Sequence, residues 1–186
     1  MKIEKLNNGL TYILNRNKHI ESCTVFVMIK VGSIHETNDV LGGAHLLEHM
    51  LFKGTKEFPS SKEISYTLDG FGGIYNAYTS KNTTCYYIKL DKKHINKAIK
   101  LLGSMVFDSI LDKKELHMEK KVVEAEIKKT RDDPSRYIHE LNDTTTYNNH
   151  PLGRSIAAEI DDVHRIKQPD LMNFYKKYYS TRRCSS

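Results

Sequence analysis

The chain has 186 residues and a mass of 21.5 kDa, enough for one domain or for one α/β unit of something larger. With 39% hydrophobic and 28% charged residues its composition is globular and excludes a disordered tail. The 29 Lys and Arg exceed the 23 Asp and Glu for a net charge of +6. These basic residues are scattered, without a basic block, an RNA-binding aromatic signature or finger spacing, so no nucleic acid partner is expected.

The first thirty residues read as strands. Residues 2–6 alternate, Asn8-Gly9 marks a two-residue hairpin turn, and residues 10–14 return. Residues 24–31 form a third, more buried run in which Val25, Val27, Ile29 and Val31 alternate, and Gly32-Ser33 ends it. The period then changes, and residues 45–52 read as a helix stopped by Lys53-Gly54-Thr55. Ser60 followed by Glu63 has the pattern of a capping box and opens a helix running to about Leu68. Gly70, Gly72 and Gly73 break the chain before a strand pair at 74–79 and 84–90. Helical segments follow at 92–106, 113–131, 135–147 and 170–179, and Asp132-Asp133-Pro134 separates two of them. Strands first and helices later predict an α+β layered domain.

No apolar run approaches the ~20 residues that a membrane-spanning helix needs, so no membrane span is expected. The first residues have neither an apolar signal core nor the Arg/Ser bias of a transit peptide, and the expected location is cytoplasmic. Cys23, Cys85 and Cys184 are odd in number and lack C-x-x-C spacing, which argues against a disulfide framework or a Cys-rich zinc site. Cys23 and Cys85 sit in apolar runs and read as small buried hydrophobes.

The chemistry concentrates at residues 45–49. His45 and His49 are four apart, so on a helix their rings rise one turn apart on one face and can converge on one ion. Glu48 falls beside them. Two His, a third protein ligand and an open position for water make a catalytic zinc site. The metal brings the pKa of that water to about 7, and a neighbouring carboxylate can take its proton and pass it to a leaving amine. Alternatively, the histidines pack or face water without a metal. The third ligand must come from elsewhere in the fold. In the helix at 113–131, Val122 and Val123 mark an apolar stripe, and Glu119 and Glu126, two turns apart, both fall near it. Glu124 is rotated outward with Lys120, Lys121 and Lys128. An inward acid needs a cation, a hydrogen-bond network or a metal, so spacing offers Glu119 or Glu126 as ligand, or either as a structural ion pair.

These residues match a known pattern. The stretch GAHLLEHMLFKGT at 43–55 resembles the inverted zinc motif, H-x-x-E-H, of the pitrilysin/insulinase and mitochondrial processing peptidase family, the inverzincins. Further blocks resemble the same family in order: LNNGL at 6–10, GSIHE at 32–36, NAYT at 76–79, the acidic helix from Glu119 to Pro134, and HPLGR at 150–154. The resemblance implies an antiparallel or mixed sheet with helices packed on one face, and a zinc-dependent metalloendopeptidase acting on extended or unfolded peptides. It implies one zinc ion per chain, with His45, His49 and Glu126 as its ligands. Glu48 would be the general base that activates water, and Glu119 would orient a ligand or assist catalysis. Asn76 and Ala77 would present backbone groups to the substrate, added as a strand to a sheet edge.

Departures from the pattern are also legible. Asn82 stands where an acid is usual, and Ala158 where a Gly is common. FYKKYYS at 174–180 resembles the helix and turn before a core strand, but TRRCSS at 181–186 does not resemble that strand. The reading is therefore a single N-terminal-type peptidase unit over residues 1–186, incomplete at its C-terminal end. A second subunit or a homo-oligomer would complete its catalytic chamber. The competing expectation is a truncated, non-catalytic interaction module.

Overall fold

A computed structural model describes residues 1–180. The C-terminal departure at 181–186 lies outside the described residues. Two strands, β1 (Lys2–Lys5) and β2 (Thr11–Leu14), form an antiparallel hairpin in which Lys5 faces Thr11. Its connection is longer than the two residues expected. The Gly9 N–H donates to the Leu6 carbonyl and the Leu6 N–H to the Leu10 carbonyl, closing a loop over Asn7, Asn8 and Gly9 with Gly9 at φ +90°. That is a turn closed by a left-handed glycine, the common three-residue hairpin.

The main sheet has the order β3–β5–β4 and is antiparallel throughout, from β3 (Ser22–Ile29), β4 (Ile74–Thr79) and β5 (Thr84–Asp91). Period-2 alternation sends Val25, Val27 and Ile29 of β3, Tyr86 and Ile88 of β5, and Tyr75 and Ala77 of β4 to one face. Helices pack against that face: α1 (Gly43–Met50), α3 (Ile95–Phe107) and behind them α4 (Lys113–Arg131) and α7 (Gln168–Tyr178). Leu46, Leu47 and Met50 of α1 and Leu101, Leu102 and Met105 of α3 are buried in the core between them. Phe26, Met28, Ile74 and Tyr78 stand exposed on the other face, with Cys85 buried among their neighbours. The expected α+β class, with helices on one face of the sheet, is the architecture found.

Element boundaries moved where tertiary contacts overrode the local pattern. Strand β3 ends at Ile29, and Val31 is buried beyond it in the turn that leads to α1. Helix α1 starts two residues before His45, at the glycine pair. In α2 (Ser61–Asp69) the Ser60 hydroxyl accepts the Glu63 N–H, which is one arm of the expected capping box. The segment predicted as helix from residue 92 opens as a 3-10 turn at Lys92–His94, capped by Asp91, before α3 begins. Helix α4 has its expected bounds, and Asp112 caps it. Its apolar stripe is narrower than expected: Val123 is fully buried, but Val122 is 42% exposed. Pro134 takes the first position of α5 (Pro134–Tyr147). A short helix, α6 (Ile160–Arg165), was not expected; its apolar pattern is too brief to register, though acids at its start and bases at its end suit the helix dipole.

Candidate metal centre

The chain enters α1 through a close approach that only glycine allows. Gly42 is left-handed at φ +80°, and a Cβ there would lie 2.7 Å from the Ala157 carbonyl oxygen. A Cβ on Gly43 would lie 2.4 Å from a Val40 methyl. Glu36, 6% exposed, holds this end of the helix: its two carboxylate oxygens accept the Gly42 and Ala44 N–H groups, each at 2.8 Å. These are the free donors of a helix start, so a side chain from outside the helix does the capping. Burial raises the Glu36 pKa to about 7, although the two backbone N–H groups and the nearby Arg154 oppose the rise. Arg154 also donates to the Glu36 carbonyl, at 3.4 Å.

From this anchored start, His45 and His49 project one turn apart toward α4. Their Nε2 atoms lie 3.3 Å apart. Glu126 Oε2 lies 3.6 Å from the first and 3.4 Å from the second. Four-coordinate zinc with bonds of ~2.0–2.1 Å holds its ligand atoms about 3.3–3.4 Å from one another. The triangle of two imidazole nitrogens and one carboxylate oxygen therefore has the size and donor chemistry of three corners of a zinc tetrahedron. Glu126 is 46% exposed, so the fourth corner can open toward solvent.

The two histidines are supported unequally. His49 Nδ1 lies 3.1 Å from Glu119 Oε2, and because an ionised carboxylate only accepts, Nδ1 carries the proton and Nε2 presents its lone pair. His45 Nδ1 is buried with no hydrogen-bond partner among the described residues. Burial, and then the neighbouring His49, lower the His45 pKa to about 4, so its ring is neutral at pH 7, the form that binds metal. For His49 burial acts downward, but Glu119, Glu126 and Glu48 outweigh it and raise its pKa.

Glu48 points to the sheet side of α1, where the Thr79 hydroxyl donates to its Oε2 at 2.5 Å. Its pKa is raised, chiefly by burial and secondarily by Glu126, against the lowering influence of Thr79 and His49. Glu119 is 5% exposed; burial works against its ionisation, yet its hydrogen bonds from His49 and Lys53 lower its pKa overall. Glu124 does not face out freely. It is half-buried and bridges Lys128 and His164. Asn76 is exposed and Ala77 half-buried on β4, a strand that among the described residues pairs with β5 alone. The Ala77 N–H is taken by the Asn76 side-chain oxygen at 2.9 Å. Thr79 lies at the end of the same strand, so β4 runs from these two residues to the carboxylate of Glu48.

The structure thus gathers His45, His49, Glu126, Glu48 and Glu119 into one cluster and sets Asn76 and Ala77 on the neighbouring strand. Three residues of the site were not singled out from sequence: Glu36, Thr79 and Lys53. Lys53 alone carried a local signal, lying one helical turn beyond His49.

Comparison with known proteins finds zinc proteases among those similar to this chain. Residues 11–159 match the family described as insulinase (peptidase family M16). An uncharacterized zinc protease of Bacillus subtilis, YmxG, is 40% identical over 176 residues, covering 95% of this chain and 43% of that protein. The beta subunit of the mitochondrial processing peptidase of Rattus norvegicus is 32% identical, over 94% of this chain and 35% of its own length. A protease from Helicobacter pylori superimposes with a TM-score of 0.89 at 30% identity, over 98% of this chain and 44% of its own. The chain therefore spans less than half the length of these relatives.

Proposed function

The chain belongs to the insulinase family of peptidases, family M16, and from that premise we propose that it is the metal-bearing unit of a zinc-dependent endopeptidase that hydrolyses extended or unfolded peptides. The observation that carries this reading is the convergence of His45 Nε2, His49 Nε2 and Glu126 Oε2 beside the carboxylate of Glu48. Those three side chains would hold one zinc ion, which when bound would polarise the scissile carbonyl and acidify the attacking water.

The remaining work falls to the chain's own groups. Glu48 takes the proton from water and returns it to the leaving amine. Its burial favours the protonated form, which suits a group that must hold a proton between the two transfers. The Thr79 hydroxyl fixes which Glu48 oxygen is engaged and which stays free for the reaction. Glu119 keeps the His49 ring in the tautomer that offers Nε2. A peptide lying along β4 would form main-chain bonds at Asn76 and Ala77 and be led toward Glu48; the Asn76 side chain would then release the Ala77 N–H.

The test uses the full chain. It should bind one zinc ion, and His49→Ala or Glu126→Ala should abolish stoichiometric binding, read by metal analysis of folded protein. Glu48→Gln should keep the metal and lose ~10²- to 10⁴-fold in turnover of an unstructured peptide. A folded wild-type chain that takes up no zinc overturns the reading, and unchanged turnover in Glu48→Gln removes Glu48 as the base. A relative named as a beta subunit favours a second reading, a unit that binds zinc alone but cleaves only with a partner subunit or a second copy. Zinc binding without turnover, with turnover appearing when the partner is added, distinguishes the two.

A further inference from the structure

We propose that Lys53 is a positioning residue for the metal centre, acting through Glu119 on His49. The inference rests on the zinc reading above and extends it to a group that touches neither metal nor substrate.

The two oxygens of Glu119 are divided between two partners. Oε2 faces His49 Nδ1 at 3.1 Å, and Oε1 faces the Lys53 ammonium at 2.8 Å. A carboxylate this buried is not retained as an anion without a compensating cation. Lys53 supplies that cation by direct contact, so the one carboxylate is tied to Lys53 through one oxygen and to the imidazole through the other.

The geometry also fixes orientation. Lys53 sits in the turn just past α1, where its N–H donates to the Met50 carbonyl at 3.1 Å, and Gly54 follows at φ +153°. Its side chain is 26% exposed, so the ammonium stays partly hydrated while it reaches Glu119. With Oε1 held there, Oε2 is turned toward the imidazole. The arrangement matters more because His45 Nδ1 lacks any outer partner among the described residues. The hydrogen-bonded bracing of the ligand pair therefore falls on the His49 side, along the path Lys53–Glu119–His49.

The test is a set of zinc affinities measured by competition with a chromophoric chelator, on full chains whose folding is checked by circular dichroism. Lys53→Met should weaken zinc by about tenfold, the lower end of what groups supporting a metal-bound histidine contribute. Lys53→Arg should recover most of the loss. In a Glu119→Gln background, Lys53→Met should add nothing, since its path to the metal is already cut. Lys56→Met, at an exposed lysine on the same segment, should match wild type. Wild-type affinity in Lys53→Met, or losses from the two substitutions that simply add, overturns the proposal. Failure of the wild-type chain to bind zinc overturns the metal reading instead. Nitrogen-15 spectra of the metal-free chain, taken at a pH high enough for His49 to be neutral, then still judge Lys53: His49 should hold a single Nδ1–H tautomer in wild type and a mixture in Lys53→Met, and an unchanged tautomer in Lys53→Met refutes the role.

Discussion

The helix that carries His45 and His49 is held at both ends by a buried carboxylate, and the two carboxylates behave in opposite ways. Glu36 at the start is 6% exposed and Glu119 near the end is 5% exposed. Glu36 binds two backbone N–H groups, and its pKa is pushed up to about 7. Glu119 binds an imidazole and an ammonium, and its pKa falls below the ordinary value. Burial acts against ionisation in both. What differs is the partner: amide dipoles compensate only part of the desolvation of a charge, whereas an imidazole N–H together with an adjacent ammonium outweighs it. The start of the helix is thus a mechanical fixture built from backbone contacts, and its end is an electrostatic one built from side chains.

The start of α1 is most sensitive at Gly42. Gly42→Ala puts a Cβ 2.7 Å from the Ala157 carbonyl at a φ that L-residues avoid. Left-handed strain of ~1–2 kcal/mol adds to the cost of moving backbone, for a total loss of about 3 kcal/mol or more in urea unfolding. A loss below about 1 kcal/mol would mean that the start of α1 is pliable, and the contrast between the two ends would fail.

These two ends also differ in how far the sequence foretold them. The H-x-x-E-H spacing on a helical period was enough to place His45, Glu48 and His49 together, because all three relations lie within one helix. The bounds of α4 were equally legible, since Asp112 caps one end and Asp132-Asp133-Pro134 closes the other. The inward turn of Glu119 is readable from its period, whereas Val122, about 100° around α4 from Val123, falls outside the narrow face that this helix buries. Contacts between elements had no such local signal. The Thr79 hydroxyl reaches Glu48 across 31 residues, and which strand lies beside α1 is decided by the packing of the whole sheet. Glu36 reads in sequence as an ordinary acid before a glycine pair; its role needs the chain to fold back over the helix start.

The electrostatic contrast between the two carboxylates has its own signature in the pH dependence of stability. Glu36 has a folded-state pKa of about 7 against an ordinary 4.5, so between those values the folded state holds more protons than the unfolded one. Its contribution to stability is therefore most favourable below about pH 4.5 and is lost as pH rises to 7. Arg154 moderates the shift and Asp162 adds to it. Glu36→Gln removes the titration while keeping one acceptor for the helix start. In metal-free protein, the stability of Glu36→Gln relative to wild type should climb by up to about 3 kcal/mol between pH 4.5 and 7. Thermal unfolding of both proteins across that range reads the difference, in which His45 and every other shared group cancels. A flat difference would mean that Glu36 stays ionised as readily as Glu119 does, and the contrast between dipole and cation partners would not hold.

The smallest effect concerns a residue that packs on the same fixture. Ala158 is one of three non-glycine residues at positive φ among the described residues, at +60°, and its methyl would lie 3.2 Å from a Cβ placed on Gly42. This backbone would suit glycine, and alanine adopts it at a cost. A left-handed alanine costs ~1–2 kcal/mol. Replacing it with glycine gives back part of that through a freer unfolded chain and the loss of a mostly buried methyl, together near 1 kcal/mol. Ala158→Gly should therefore stabilise the fold by only about 0.5 kcal/mol in urea unfolding, without altering zinc affinity. The sign is the informative part. A gain means that strain at Ala158 outweighs its packing, and the start of α1 is held by Glu36 and the glycine pair. A loss would show that the Ala158 methyl is itself one of the clamps, and that side-chain packing contributes at this end as charge does at the other.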